Sequence, residues 1–229
     1  MPRQIDVHNY ARWNGGIIGQ GGPTDHQFSG LWQKLASRYA SKGSQMVFGV
    51  MNEPHDLNIT TWRKTVQGAV NSIRNVTGNN NNIILIPGTL YCSAGAFVSE
   101  STEVTKVSNP DGSKTNLILD VHQYLDADYS GQSTECTSSL ISGFQGLANY
   151  LRSNGRKALL SETGGGNTDS CVKYTCPLLD FLNSNSDVFL GWTSWAAGSF
   201  DASYHLTETP QNGVDTRLVT QCFKAKFSG

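Results

Sequence analysis

Charged residues are scarce in this chain of 229 residues: they make up 15% of it, and 17 Lys+Arg against 18 Asp+Glu leave a formal net charge of −1. The chain therefore lacks the positive excess by which proteins attract nucleic acids and anionic membranes. It also lacks long hydrophobic runs, since stretches such as Ile83–Pro87 are far shorter than the ~20 residues of a membrane helix. With 38% hydrophobic residues, a disordered chain is excluded as well. We expect a neutral globular protein that binds neither nucleic acid nor membrane.

The five cysteines and the N-terminus point in different directions. Four of the cysteines lie in the C-terminal half of the chain: Cys136, Cys171, Cys176 and Cys222. Their even number favours two disulfides, formed in an oxidising compartment. Yet the first residues contain no apolar segment that would act as a secretory signal. Either the cysteines are reduced core thiols or the chain has lost its beginning. The spacing of Cys171 and Cys176, without a second Cys or His pair nearby, argues against zinc, so we expect no metal.

Short apolar runs alternate with amphipathic helical stretches along the chain. Six strands are predicted, at Gln4–His8, Gln45–Asn52, Ile83–Ile86, Leu117–Val121, Ala158–Ser161 and Val188–Trp195. Capping signals predict that the first helix begins near Thr24 and that the third ends at Asn154–Gly155. Repeated strand–helix units predict a parallel α/β sheet, either doubly wound or closed as a barrel. No Gly-x-Gly-x-x-Gly follows the first strand and no Walker lysine occurs, which weakens the nucleotide-binding doubly wound folds.

Polar and aromatic residues stand at the carboxyl ends of five of these predicted strands. They are His8-Asn9-Tyr10, Asn52-Glu53, His122-Gln123-Tyr124, Glu162 and Trp195. In a barrel, these ends converge on one mouth, where barrel enzymes keep their active sites. Five coincident ends favour a (β/α)8 TIM-barrel type over the doubly wound sheet.

Glu53 and Glu162 are the central pair of candidate catalytic residues. Each directly follows an apolar strand, and in a barrel the two carboxyls can face each other across the mouth. Cleavage of a glycosidic bond needs one carboxylic acid to protonate the leaving oxygen and one carboxylate to attack or to activate water. A glutamate at a strand end also caps helices or forms ion pairs, so position alone does not decide. Asn52 favours the catalytic interpretation, because its amide can hydrogen-bond a sugar hydroxyl.

The remaining candidates would orient the carboxylates or hold a sugar. His122 and Tyr124 point to the same face of an extended segment and could orient a carboxylate, although ordinary core residues would show the same spacing. Flat apolar faces on which sugar rings stack are offered by four aromatic residues: Trp195, Tyr91, Trp13 and Tyr10. A place in the core is the simpler explanation for any one of them. It is a weaker explanation for Trp13 and Tyr10, which lie in a loop without apolar periodicity.

Five segments occur in an order that is specific to one family: Asp6–Pro23 (DVHNYARWNGGIIGQGGP), Met51–His55 (MNEPH), Asp120–Tyr124 (DVHQY), Ser161–Asn167 (SETGGGN) and Trp195–Asp201 (WAAGSFD). With them the sequence resembles the endo-β-1,4-glucanases of glycoside hydrolase family 5, specifically the fungal secreted cellulases. The likeness runs over essentially the whole chain. It implies a (β/α)8 barrel that hydrolyses β-1,4-glucan by a retaining double displacement, and an extracellular location.

The resemblance also implies roles for individual residues. Glu53 matches the acid/base and Glu162 the nucleophile, so we expect the first protonated near neutrality, the second ionised, and the carboxyls about 5–5.5 Å apart. Asn52 matches the amide that contacts the sugar 2-hydroxyl. His8, His122 and Tyr124 match the polar residues that surround the two carboxylates. Trp195 matches the stacking residue on the last strand. Two disulfides are implied, Cys136–Cys171 and Cys176–Cys222, and no cofactor is needed because two carboxylates suffice for this chemistry.

The chain departs from the family at its start, because its segments match only strands three to eight of the family barrel. We therefore expect a single glycoside hydrolase domain over residues 1–229 that lacks the first two βα units and the family's active-site arginine. Two sheet edges would then be open. Cys92 has no family counterpart and is left as the odd thiol.

Three interpretations of this shortened pattern stay open. The chain is a fragment of a secreted cellulase, or a short active enzyme whose strands close up or whose edges pair between two copies, or a catalytically dead glucan-binding protein. Within the enzyme interpretation, a β-mannanase or xylanase is the runner-up, because those relatives share the two glutamates and differ in loops.

Overall fold

A parallel sheet forms the centre of the structure, a computed structural model that describes residues 3–78, 81–198, 201 and 203–227. In chain order the strands are β1 (Arg3–Asp6), β2 (Arg12–Trp13), β3 (Gly16–Ile17), β4 (Met46–Gly49), β5 (Ile83–Pro87), β6 (Leu117–His122), β7 (Ala158–Glu162) and β8 (Phe189–Trp192). β2 and β3 make a small antiparallel hairpin, and the other six form one parallel sheet in the order β1-β4-β5-β6-β7-β8. The predicted α/β class with six parallel strands is therefore confirmed.

Three strands end earlier than predicted: β1 ends at Asp6 rather than at His8, and the early ends of β4 and β8 matter most for the site. β4 ends at Gly49 rather than at Asn52, because the chain then leaves the ladder and the N–H of Asn52 donates to the carbonyl of Val7 at 2.9 Å. β8 ends at Trp192, and the N–H of Trp195 donates to the carbonyl of Thr163 at 2.7 Å. Short irregular segments beyond the strands thus carry the candidate residues at these two positions.

Helices alternate with the strands of the main sheet. They are α1 (Asp25–Tyr39), α2 (Ile59–Thr77), α3 (Phe97–Glu100), α4 (Ile141–Ser153), α5 (Asp169–Ser184) and α6 (Lys224–Lys226). α1 begins where predicted, because the side chain of Thr24 accepts the N–H of Gln27 and the side chain of Gln27 accepts that of Thr24. α4 ends where predicted, with Asn154 as its C-cap and Gly155 at a φ of 59°. In the described ranges, none of these helices has the length and apolar character to cross a membrane.

Two buried tryptophans tie the helices to the sheet. Trp32 of α1 and Trp62 of α2 have no exposed surface. The indole N–H of Trp32 donates to the carbonyl of Val50 at 3.1 Å, and that of Trp62 donates to the carbonyl of Pro87 at 3.2 Å. Both acceptors lie at or just past the carboxyl end of a strand, so the apolar core also fixes the sheet edge that carries the candidate site.

The main sheet has two open edges. Within the described residues, β1 pairs only with β4 and β8 pairs only with β7. β1 is mostly exposed, and Leu190 on β8 is 43% exposed. Open edges present unpaired backbone groups to solvent or to another chain.

Two disulfides hold the C-terminal part of the chain. Cys136–Cys171 joins the loop after β6 to the first turn of α5, and Cys176–Cys222 joins the middle of α5 to the last turns of the chain. These are the two pairs that the family resemblance implies. Cys92 is a buried free thiol.

Removing the second disulfide in a C176S/C222S variant should lower the free energy of unfolding by roughly 2–4 kcal/mol, because the cross-link restricts the unfolded chain. Urea unfolding followed by tryptophan fluorescence measures the loss. A reductant should lower the midpoint of the wild type further than that of the variant, which has one disulfide left to lose. Equal stability of the two oxidised proteins would contradict the prediction.

Candidate active site

Glu53 and Glu162 lie beside each other at the carboxyl edge of the sheet. Glu162 is the last residue of β7, and Glu53 follows β4 with a φ of 45°. That left-handed conformation is unfavourable for a residue with a side chain, so the surrounding structure has to hold it. One carboxylate oxygen of each glutamate and one ring nitrogen of His122 all lie within 4.8 Å of one another. The two predicted carboxyls therefore share one site.

His122 is the buried group between the two glutamates. Its Nδ1 lies 2.8 Å from Oε1 of Glu53 and 3.8 Å from Oε2 of Glu162, and its Nε2 lies 3.9 Å from Oδ1 of Asp120. Burial alone would lower the pKa of His122, but the hydrogen bond to Glu53 and the three negative charges outweigh burial and raise that pKa to about 9. At neutral pH the ring is an imidazolium whose Nδ1–H donates a hydrogen bond to Oε1 of Glu53.

The environment of Glu162 acts on its pKa in both directions. Burial raises the pKa, and the neighbouring charge of Glu53 adds to the rise. The imidazolium of His122 opposes it, as does the hydroxyl of Tyr124, which donates to Oε1 at 2.9 Å. The net direction is upward, which is opposite to the depressed pKa that would most simply keep a nucleophile ionised. His122 and Tyr124 favour the ionised form, and the charge of His8 adds a smaller effect in the same direction.

A second polar group lies next to Glu53 and is built on Asn52, His8 and Trp195. Nδ2 of Asn52 lies 3.2 Å from Nε2 of His8, and Nδ1 of His8 lies 3.3 Å from Oδ2 of Asp6. The bond to Asp6 raises the pKa of His8 against the effect of burial. The imidazole stacks on the indole of Trp195, with 5.6 Å between ring centroids and 22° between planes. The indole face is thereby fixed beside the amide.

A cleft of about 580 Å³ opens at Glu53 and His122. Tyr10 and Tyr91 stand on its rim with 40% and 49% of their surface exposed, so both rings are available to a ligand. The lining also includes the loop after β6, with Asp128 and Tyr129 among its residues.

The turn that carries Tyr91 has an unusual backbone. Leu90, Tyr91 and Cys92 have φ angles of 47°, 56° and 58°, three consecutive left-handed residues that are not glycine. The N–H of Tyr91 donates to the carbonyl of Pro54 at 3.1 Å, and its ring stacks on that of His55 at 4.3 Å between centroids. The turn is thus joined to the segment directly after Glu53.

Trp13 lies apart from the other predicted residues. It is 64% exposed on β2 and lines a separate cavity of about 560 Å³ together with Ile18, Phe28 and Leu31. The remaining predicted site residues lie around the glutamate pair or on the rim of its cleft. Ser199 and Phe200, part of the segment that resembles the family after Trp195, lie outside the described residues.

Glu53, His122 and Glu162 are the described residues with a spacing that would suit a metal ion. Nδ1 of His122 is hydrogen-bonded to Oε1 of Glu53, and Oε1 of Glu162 accepts the hydroxyl of Tyr124, so these side chains bind one another. We assign no metal to them.

Two buried carboxyls near the site were missed by sequence reasoning. Asp120 precedes His122 by two residues on β6, so strand alternation places both on one face and was an available signal. Glu208 had no such signal, because it lies in an irregular loop after β8. It is 6% exposed, its Oε2 accepts the hydroxyl of Ser194, and its Oε1 has no hydrogen-bond partner in the described residues.

Glu208 fixes the segment on which Trp195 stands. Its backbone N–H donates to the carbonyl of Ala196 at 3.0 Å, and its carboxyl is bonded to Ser194 on the other side of the tryptophan. Burial raises the pKa of Glu208 to about 7, with the Ser194 hydroxyl opposing the rise.

A glutamate pair at the carboxyl ends of parallel strands, with a histidine and a tyrosine bound to it, is the arrangement expected of a glycoside hydrolase. The family model described as cellulase (glycosyl hydrolase family 5) matches residues 4–198. This chain belongs to glycosyl hydrolase family 5.

Two curated relatives are named as endoglucanases. Endoglucanase EG-II of Hypocrea jecorina is 55% identical and aligns with 97% of this chain and 54% of its own length. Endoglucanase 1 of Saitozyma flava is 48% identical over 93% of this chain and 63% of its own length. The chain thus spans about half to two thirds of the curated relatives that it matches.

Solved structures agree with the fold. The crystal structure of Cel5A (EG2) from Hypocrea jecorina (Trichoderma reesei) superimposes with a TM-score of 0.91 at 55% identity, covering 96% of this chain and 68% of that one. A structure of XacCel5A in complex with cellopentaose gives a TM-score of 0.85 at 35% identity, over 95% of this chain and 71% of that one. The TIM-barrel type predicted for the fold is confirmed.

The E208Q variant should change how stability depends on pH. The pKa of Glu208 rises from 4.5 in the unfolded chain to about 7 in the fold, so its stabilising contribution is complete below pH 4.5 and is lost as the pH rises through 7. Glutamine does not ionise, so E208Q should gain roughly 1–3 kcal/mol over the wild type between pH 4.5 and pH 8. Urea unfolding at several pH values measures the difference.

The exposed Glu100 provides a matched control for that experiment, since E100Q makes the same substitution on the surface. E100Q should show the same pH dependence as the wild type. A stability difference between E208Q and wild type that is constant from pH 4.5 to pH 8 would contradict the assignment of a raised pKa to Glu208.

Proposed function

We propose that this chain is an endo-β-1,4-glucanase that hydrolyses internal bonds of cellulose and related β-glucans by a retaining double displacement. The observation that carries the proposal is the pair Glu53 and Glu162, whose carboxylate oxygens approach within 4.8 Å, with Glu53 lining a cleft. Retaining enzymes hold their carboxyls about 5–5.5 Å apart, whereas inverting enzymes leave room for a water between them. The close approach supports direct attack by one carboxylate.

Glu53 and Glu162 have different roles in the two steps of the double displacement. Glu162 attacks the anomeric carbon while Glu53 gives its proton to the leaving glycosidic oxygen, which forms a glycosyl–enzyme ester and releases the first product. Glu53 then takes a proton from a water that attacks the same carbon and releases Glu162. Tyr124 holds Oε1 of Glu162, which leaves Oε2 as the oxygen without that bond. His122 stabilises the carboxylate form of Glu53 between the steps.

The remaining contacts suit a chain of sugar rings. Asn52 lies next to Glu53, where its amide reaches a hydroxyl beside the reacting carbon. Trp195, Tyr10 and Tyr91 provide stacking faces, the last two on the exposed rim of the cleft. The relative crystallised with cellopentaose supports a β-1,4-linked glucose chain as the ligand. Residues 1–229 would then form one catalytic domain that works on an extracellular polysaccharide, in keeping with its two disulfides.

Turnover of carboxymethyl-cellulose tests this function, with release of reducing sugar as the measurement. E162Q and E53Q should each lose at least about a hundredfold in rate, because each removes one of the two groups that the chemistry needs. The exposed-site variant E100Q should turn over as the wild type does. Wild-type rates in E162Q would contradict the proposal.

Two other functions are separated by the same assay. Mannan and xylan in place of cellulose distinguish a β-mannanase or a xylanase, which share the glutamate pair; the endoglucanase names of the relatives favour glucan. A catalytically dead glucan-binding protein would retain cello-oligosaccharide in calorimetry while neither wild type nor variants release sugar. The intact glutamate pair argues against such a binder.

We also propose that the open edges β1 and β8 allow self-association. Sedimentation velocity should show a larger species that grows with protein concentration, because unpaired backbone groups on an edge pair with a second copy. Leu190→Lys should weaken it by placing a charge on β8. Val98→Lys is the matched control, since Val98 has nearly the same exposed fraction, 44% against 43% for Leu190, and lies on α3. A wild type that is monomeric at every concentration would contradict the proposal.

A further inference from the structure

Asp120 is a buried carboxyl to which no role has yet been assigned. It lies in the interior of β6, is 3% exposed, and points to the same face of the strand as His122. A carboxylate so far from water is unfavourable unless a donor or a positive charge compensates it. Its partners therefore decide what it does.

Two groups compensate Asp120. The hydroxyl of Ser161 on β7 donates to its Oδ1, and Nε2 of His122 lies 3.9 Å from that same oxygen. In the described part of the chain, no lysine or arginine nitrogen lies within 4.0 Å of this carboxyl. The imidazolium of His122 is thus the positive charge that faces it.

We propose that Asp120 is a positioning residue, which keeps His122 protonated and holds its Nδ1–H directed at Glu53. The inference rests on the proposed function, because it takes Glu53 to be the acid/base. An imidazole ring has two nitrogens on opposite sides, so a carboxylate near Nε2 fixes which way the other nitrogen points. Asp120 touches neither substrate nor the reacting atoms and acts only through His122.

The consequence for catalysis lies between the two steps. When Glu53 has given its proton to the leaving oxygen, it becomes a carboxylate in a poorly solvated place, while Glu162 is held as an uncharged ester; a buried charge without a partner is unfavourable. An imidazolium that donates a hydrogen bond to Glu53 compensates that charge. His122 transfers no proton in this scheme and keeps its own. It stabilises the negative charge that Glu53 acquires in the first step, until Glu53 takes a proton from the attacking water in the second.

The charges around this pair agree with the inference. His122 faces Asp120, Glu53 and Glu162, and its pKa rises to about 9 against the effect of burial. Burial raises the pKa of Asp120 on balance, and the charge of His122 and the hydroxyl of Ser161 oppose part of that rise. Asp6 and Glu53 add weaker repulsion to Asp120.

A purely structural role is the competing explanation, in which Asp120 serves only to join β6 to β7 through Ser161. The two explanations differ in what carries the effect. A structural link depends on the hydrogen bond, whereas the positioning role depends on the negative charge. S161A removes the bond and keeps the charge, while D120N removes the charge and keeps a side chain of the same size.

The test is the titration of His122 by nuclear magnetic resonance, with its signal assigned by its loss in H122N. In D120N the pKa of His122 should fall by about one unit or more, because a buried negative charge near Nε2 is gone. In S161A it should stay within a few tenths of the wild-type value. D126N is the matched control: Asp126 is equally buried, but it accepts the backbone N–H groups of 131, 132 and 133 and does not face His122.

An unchanged pKa of His122 in D120N would overturn the inference, as would an S161A variant that shifts it as much as D120N does. The pH profile of kcat/KM gives a second readout. The alkaline limb in D120N should move to lower pH with carboxymethyl-cellulose as substrate. With a 2,4-dinitrophenyl cellobioside, whose leaving group needs no acid, D120N should decrease the rate of the first step less than it does with carboxymethyl-cellulose.

Different results would contradict the proposed function of Glu53 and the positioning role of Asp120. If E53Q retains wild-type turnover, then the function assigned to Glu53 is wrong, even where D120N still shifts the titration of His122. If E53Q is inactive and the titration of His122 does not respond to D120N, then only the positioning role of Asp120 is wrong.

Discussion

One buried histidine surrounded by three carboxylates is the interaction on which the site depends. Glu53, Glu162 and Asp120 are brought to one edge of the sheet, and their mutual repulsion in a poorly solvated place would oppose folding. His122 lies within 4.0 Å of all three and supplies the compensating charge. The fold meets this requirement by ending β6 at the histidine and β7 at Glu162, so neighbouring parallel strands deliver the cation and an anion side by side.

Much of this arrangement could be predicted from local pattern. Apolar runs such as Leu117–Val121 are too short for helices and become the inner strands, and a parallel sheet necessarily collects their carboxyl ends at one edge. His122 and Tyr124 were expected on one face and both bond a glutamate. The same alternation, extended one step back, would have identified Asp120.

The rest depends on contacts that no local pattern shows. α5 contains Pro177 in its interior, where proline normally breaks a helix, and two disulfides anchored in α5 hold it in place. The early ends of β4 and β8 come from backbone bonds to distant segments. Trp13 was grouped with the site because it shares a loop with Tyr10, yet the hairpin turns it towards a different cavity. The raised pKa of Glu208 follows from burial, which the Ser194 hydroxyl only partly opposes and which composition cannot predict.

In the left-handed turn at Leu90, Tyr91 and Cys92, the backbone determines the position of the aromatic ring, and the side chain determines only its type. Its position is set by main-chain angles and by a bond to Pro54, neither of which involves the tyrosine side chain. The backbone at this part of the cleft rim therefore keeps its position when the side chain at residue 91 is changed. Selection or engineering can therefore replace the ring at this position and change what the cleft contacts, while the alignment of Glu53 and Glu162 is unchanged.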